Sequence, residues 1–321
     1  MKIIKYIVLV SFIFNFSCAD RNPLTGSDFD PTLGGNYTDL RGIISGTLLK
    51  SDSPFLVSAD LTVDSTSVLN IEQGSELFFR PDVKLTVYGR IDAIGTKNEP
   101  IRFTVFDLNT DWAGIHLLNP ADYSTFQFCV IERVFLPEAS FVDNGALEIL
   151  NGSAEVSNCI FQNNYVQFGG GLSINNSNVI IMNNVFYRNR GAYYGGAILS
   201  ENSTTKIINN TFYKNYSLLY GGGVVIDEPV NEEIQNNIFY ENSTYLGDPR
   251  IEIISGDSSN VFEQYNFLAF GTMNPEFISG TNLRLSQTSP CRHSGNPDPT
   301  FNNFDGSRND QGAYGGPDGD W

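Results

Sequence analysis

Positive charge is in short supply: 19 Lys and Arg stand against 36 Asp and Glu, a formal net charge of −17. Binding to a phosphate backbone needs the opposite surplus, so nucleic acid is excluded as a partner. Cysteine is scarce as well, with four in 321 residues. Once Cys18 is set apart as part of an export signal, Cys129, Cys159 and Cys291 remain, an odd number that does not make a complete disulfide framework. Missing too is any long helical pattern after residue 20, because apolar residues recur in short alternating runs such as Leu147 to Ile149 and Leu283 to Leu285. The apolar run from Ile7 to Phe16 is ten residues long, too short to cross a bilayer as a helix.

What is present is turn chemistry and a modest core. Thirty Gly and 14 Pro accompany a 41% hydrophobic fraction, the composition of an all-β chain with many turns. Lys2 and Lys5 ahead of the Ile7 to Phe16 run form the layout of a secretory signal. Cys18 follows directly and resembles the lipidated cysteine of bacterial lipoproteins; Ser17 fits the small residue before it, whereas Asn15 departs from the usual Leu. Cleavage after Ala19 would instead release a secreted protein. The expectation is an exported chain, at the bacterial outer membrane or cell surface through an N-terminal lipid anchor only, or alternatively secreted.

The middle of the chain repeats. Phe161, Phe186, Phe212 and Phe239 each sit in an Asn-rich block, at spacings of 25, 26 and 27 residues. The blocks read Val156-Ser-Asn-Cys-Ile-Phe161-Gln-Asn-Asn164, Ile181-Met-Asn-Asn-Val-Phe186-Tyr-Arg-Asn189, Ile207-Ile-Asn-Asn-Thr-Phe212-Tyr-Lys-Asn215 and Ile234-Gln-Asn-Asn-Ile-Phe239-Tyr-Glu-Asn242. A glycine block follows the first three, at Gly169, Gly195 and Gly221. This period suits three short strands per coil, and stacked parallel strands place equivalent residues about 4.8 Å apart as ladders. The phenylalanines then form an internal stack. Asn184, Asn210 and Asn237 are expected at a left-handed bend, which Asn tolerates. Cys129 and Cys159 occupy matching places in neighbouring repeats, close enough to stack as buried thiols or to be bridged.

Upstream, Gly145-Ala-Leu-Glu-Ile149 and Trp112-Ala-Gly-Ile-His-Leu117 are weaker copies, and Leu69 to Ile71, Leu77 to Phe79, Leu85 to Val87 and Ile101 to Phe103 are short alternating strands. Residues 42 to about 288 thus resemble the right-handed parallel β-helices of the pectate-lyase-like superfamily. The Phe and Gly-Gly-Ala-Ile blocks are also similar to repeats of polymorphic outer-membrane autotransporter proteins. Ser289-Pro-Cys-Arg-His-Ser-Gly295 and Asp305 through Gly316 resemble the terminal choice-of-anchor Q type segment of bacterial surface β-helices, with Arg292-His293 departing from the usual Ile-Asp. The expected organisation is a signal at 1–18, a linker at 19–41, the β-helix at 42–288 and a segment at 289–321 folded over the open coil end as a cap.

The superfamily resemblance implies a groove on one parallel sheet where carboxylates act on polysaccharide, with a Lys or Arg base and calcium in the lyases. Strand alternation points His116, Glu148, Ser173, Leu199 and Val225 outward, followed by a column of Leu118, Leu150, Asn175, Glu201 and Asp227. Glu201 and Asp227 would stand on adjacent coils and raise one carboxyl by repulsion, as in a glycosidase acid. His116 and Glu148 would be stacked closely enough to share a proton. Tyr187, Tyr213 and Tyr240 are expected as an outward aromatic ladder, and Tyr194 and Tyr220, with Phe168, as a second ladder before the glycine corner; exposed aromatic faces stack on sugar rings. Asp298, Asp305 and Asp310 offer hard oxygen ligands for calcium, although Asx turns use the same residues. Two functions remain open: an exported surface protein binding carbohydrate or a matrix partner, and a glycoside hydrolase or polysaccharide lyase.

Overall fold

A computed structural model describes residues 36–136 and 144–321. One regular coil illustrates the chain path. It runs through Leu172–Asn175, Asn178–Met182, Val185–Tyr187 and Arg190–Tyr194, then enters the next coil at Ile198–Glu201. Each strand pairs in parallel with its equivalent one coil away, so four ladders run the length of the repeat region. The second ladder is a nine-stranded sheet and the fourth a five-stranded one. The first and third are joined into 17 strands because the long strand Phe55–Val63 serves both, pairing at Phe55–Val57 with the third ladder and at Leu61–Val63 with the first.

Three strands per coil hold only in the early turns. From Phe135–Leu136 onward a fourth short strand is inserted ahead of the glycine corner, which corrects the expected count. The chain enters the solenoid at Thr38–Ile43, a strand that begins in the segment read as linker and ends just beyond it. The signal and Cys18 lie outside the described residues.

The core is the lumen of the coils. Phe161, Phe186, Phe212 and Phe239 are fully buried and stack at centroid separations of 4.9, 5.0 and 4.5 Å. Each contributes roughly 1.5–3 kcal/mol of burial. The Asn pairs divide their labour differently from expectation. The left-handed bend falls on the first residue of each pair, at Asn183, Asn209 and Asn236, and on Asn158 ahead of Cys159, with φ between 53° and 61°. The turn aims the second side chain, at Asn184, Asn210 and Asn237, into the interior, where a buried amide must be satisfied on every side. Asn210 Nδ2 donates to Ile181 O one coil down (2.9 Å) and to Asn237 Oδ1 one coil up (3.1 Å), and its own Oδ1 accepts from Asn184. Cys159 continues this ladder: its Sγ accepts from the Cys129 amide at 3.3 Å, where an Asn Oδ1 would. Both thiols are free and buried. A second Asn ladder, Asn164, Asn189, Asn215 and Asn242, fills the next corner in the same way.

Residues 289–321 lie along the side of the solenoid rather than over its end. Asn183 and Asn158 donate to carbonyls of Ala313 and Asp318, far from the last coil. The last strands, Ile251–Ser255, Val261–Gln264 and Phe267–Leu268, each pair on one side only.

Candidate functional site

The first ladder carries the expected catalytic columns. Its register aligns His116 with Glu148, Glu148 with Ser173, Leu199 with Val225, and Glu201 with Asp227. The column from His116 to Val225 does point away from the lumen, yet all five residues are buried. The cause is the glycine corner, which folds back onto it in the left-handed region. A Cβ on Gly221 (φ 59°) would lie 2.3 Å from Val225 Cγ2, and one on Gly145 would lie 3.0 Å from Ser173 Cβ. His116 has no exposed surface and is held on both sides, with Nδ1 2.9 Å from Glu148 Oε2 and Nε2 2.6 Å from Ala113 O. The structure thus brings His116 and Glu148 together but seals them from substrate, which corrects their assignment as a proton-sharing catalytic pair.

Glu201 and Asp227 stay half-buried at the strand ends, on adjacent coils. Asn175 Nδ2 donates to Glu201 Oε2 at 2.7 Å, and the Ser255 hydroxyl donates to Asp227 and, at 3.0 Å, to Glu228. Burial first, and the Asp227 charge second, push the Glu201 carboxyl above its ordinary range. Phe168, Tyr194 and Tyr220 form a half-exposed ladder just ahead of the glycine corner, with centroids 5.6 and 5.8 Å apart. The Tyr194 phenol is raised by burial, then by Tyr220 and by Asp227, so aromatic and carboxylate groups share one field.

The other aromatic ladder is covered. Tyr187 and Tyr213 stack at 5.4 Å and Tyr213 and Tyr240 at 5.6 Å, but Tyr187 is 3% and Tyr213 6% exposed. Phe277 and Leu283, after the last coil, and Ala313 of the C-terminal segment pack on them, and Arg188 and Lys214 lie over the rings of Tyr187 and Tyr213. Ligand contact at Tyr187 and Tyr213 is therefore corrected to a packing role, while Tyr240 at the end of the ladder is half-buried. The residues expected as calcium ligands are engaged in local hydrogen bonds. Asp298 caps Thr300 and Asp305 caps Ser307 in local turns, and Asp310 accepts from the His293 amide. Among the described residues no three His, Cys, Asp or Glu groups converge as metal ligands.

Two features escaped the sequence reading. Glu232 turns its carboxyl into the lumen, where Ser200 Oγ donates at 2.9 Å and Thr205 Oγ1 donates to the other oxygen. Burial pushes it up to about 7. The repeat alignment carried the signal, since Glu232 stands in register with inward-facing Thr205 and Val179. The other feature is a cleft of about 480 Å³ on the second ladder, lined by Thr47, Lys50, Asn70, Gln73 and Asp92 among others; it is assembled from separate coils and loops, and no local motif marks it.

Parallel coils wound in one sense, with internal Phe and Asn ladders, define a right-handed parallel β-helix of pectate-lyase-like fold. Residues 109–268 match the family model described as right handed beta helix region. No curated protein and no solved structure matches the chain.

Proposed function

We propose that this chain is an exported surface β-helix that binds glycan on the ridge formed by Phe168, Tyr194 and Tyr220 beside Glu201 and Asp227. The observation that carries the reading is the half-exposed aromatic ladder, one ring per coil, with Glu201 and Asp227 on the coils of Tyr194 and Tyr220 and the Asp227 charge acting on the Tyr194 phenol. Aromatic rings meet the C–H faces of sugars, and carboxylates accept from their hydroxyls. Like charge disfavours uronate polymers here, so neutral or amine-bearing glycans fit best. Export rests on Lys2, Lys5 and the Ile7 to Phe16 run, and the lipid anchor on Cys18.

A second reading has one observation in its favour: the raised Glu201 carboxyl beside Asp227 has the character of a glycosidase general acid. A lyase is supported less, because Arg250, the basic residue on the last coil, is tied to Asp248. The deciding experiment is a polysaccharide panel scored for retention and for product release. Retention without release, lost in Y220A, supports binding. Release abolished by E201A or D227A supports the hydrolase, and neither signal on any polymer overturns both.

A further inference from the structure

The C-terminal residues run back along the corner between the second and third ladders. Gln311 Nε2 donates to Tyr265 O at 2.7 Å, and one coil earlier the Gly312 amide donates to Asn236 O at 2.7 Å. Asn209 Nδ2 then donates to Asp310 O and Gly312 O at 2.9 and 3.2 Å. Asn183 Nδ2 reaches Ala313 O and Gly315 O at 2.9 and 2.7 Å, and Asn158 Nδ2 reaches Asp318 O at 3.0 Å. Finally the Trp321 ring lies 6.1 Å from that of Phe128, and Lys97 Nζ lies 3.3 Å from the Asp320 carboxylate. Tyr265, Asn236, Asn209, Asn183, Asn158 and Phe128 are the left-handed corner residues of successive coils, with φ between 50° and 61°. A single segment therefore touches the same corner of coil after coil.

The fit is close. A Cβ on Gly312 would stand 2.6 Å from Ile238 Cδ1, and one on Gly315 only 1.7 Å from Asp310 O, while Ala313 has no exposed surface. Five coil steps of about 4.8 Å need roughly 24 Å, within the reach of about 33 Å for ten extended residues.

In a solenoid each repeat contacts only its neighbours, so coils are free to open progressively from an end. Contacts between residues 130 or 160 positions apart break that locality: opening any strapped coil strains the attachments of the others. We propose that residues 309–321 are an axial strap that makes the coils from Phe128 to Tyr265 open and close as one unit.

Hydrogen exchange of the full-length chain, followed by mass spectrometry in sub-denaturing urea, tests this. In the native chain the strands from Cys129–Glu132 to Ile238–Tyr240 exchange together, with one urea dependence. The double variant N183G/N209G keeps a residue that accepts the left-handed corner and removes two of the three corner asparagines whose side chains donate to the strap. In it, protection of Thr211–Tyr213 and Ile238–Tyr240 falls about tenfold or more and separates from that of Cys129–Glu132, in graded order from the last coil. Graded exchange in the native chain, or a single unit retained in the double variant, overturns the proposal. Should the double variant not fold, the single variant N158G, which loses only the bond to Asp318 O, carries the same comparison with the same two outcomes.

Discussion

His116 and Glu148 face each other across adjacent coils at 2.9 Å, and the second ring nitrogen of His116 meets the Ala113 carbonyl at 2.6 Å. Both ring nitrogens are thus engaged with protein, under the glycine corner. Such a pair orders a turn and is unavailable to substrate. Truncating one partner strands the other in the interior. E148A is expected to cost about 3 kcal/mol in urea unfolding, with glycan retention per folded molecule unchanged. A selective loss of retention at native stability would return the pair to the binding site.

Glu232 gives the fold a pH dependence. Its carboxyl is held at about 7 against an ordinary 4.5, chiefly by burial, so between those values the folded chain binds a proton that the unfolded chain releases. Stability is full below about pH 4.5, falls as pH rises through that interval, and levels off above pH 7, a loss of about 3 kcal/mol from this group. Burial raises Glu76, Glu201 and Glu263 in the same direction. Urea midpoints measured from pH 4.5 to 8 should decline less steeply in E232Q than in the native chain. Parallel declines in the two proteins would contradict the assignment.

The three cysteines of the described residues should be inert to alkylation while the chain is folded. Cys129, Cys159 and Cys291 are buried, and burial pushes the Cys129 thiol well up and that of Cys291 to about 12. Since the thiolate is the reactive form, iodoacetamide at pH 8 is expected to label these three only after unfolding, as read by peptide mass spectrometry. Labelling of Cys159 in the folded chain would show that its Asn-like place in the ladder opens readily.

The repeats were legible because stacking gives equivalent residues one environment: Phe161 and its successors recur where the lumen demands a large apolar ring. Glu201 opposite Asp227 followed from the same alignment. Which of two adjacent Asn residues takes the bend was not legible, since either accepts a positive φ and only the interior hydrogen bonds of Asn184 and Asn210 decide it. Burial of the Tyr187 ladder was hidden for another reason. Its cover comes from Leu283 and Ala313, whose aperiodic surroundings carry no pattern that points back to those coils. Glu232 lay within reach of the alignment, but a carboxylate is rarely placed inside a core without a charged partner.

The two tyrosine ladders make opposite predictions from nearly equal stacking distances, 5.8 Å for Tyr194 with Tyr220 and 5.4 Å for Tyr187 with Tyr213. Tyr213 is sealed between its neighbours and Phe277, whose ring centroid is 5.7 Å away. Y213A therefore leaves a cavity and is expected to cost about 3 kcal/mol of stability, without altering retention by the folded fraction. Tyr220 is half-exposed, so Y220A removes contact surface more than core and should cost about 1 kcal/mol. It should nonetheless weaken glycan retention about tenfold, a typical loss when one aromatic anchor is truncated. Affinity electrophoresis alongside urea unfolding separates the two effects. Retention that follows Tyr213 rather than Tyr220 would move the binding face to the strapped side of the solenoid.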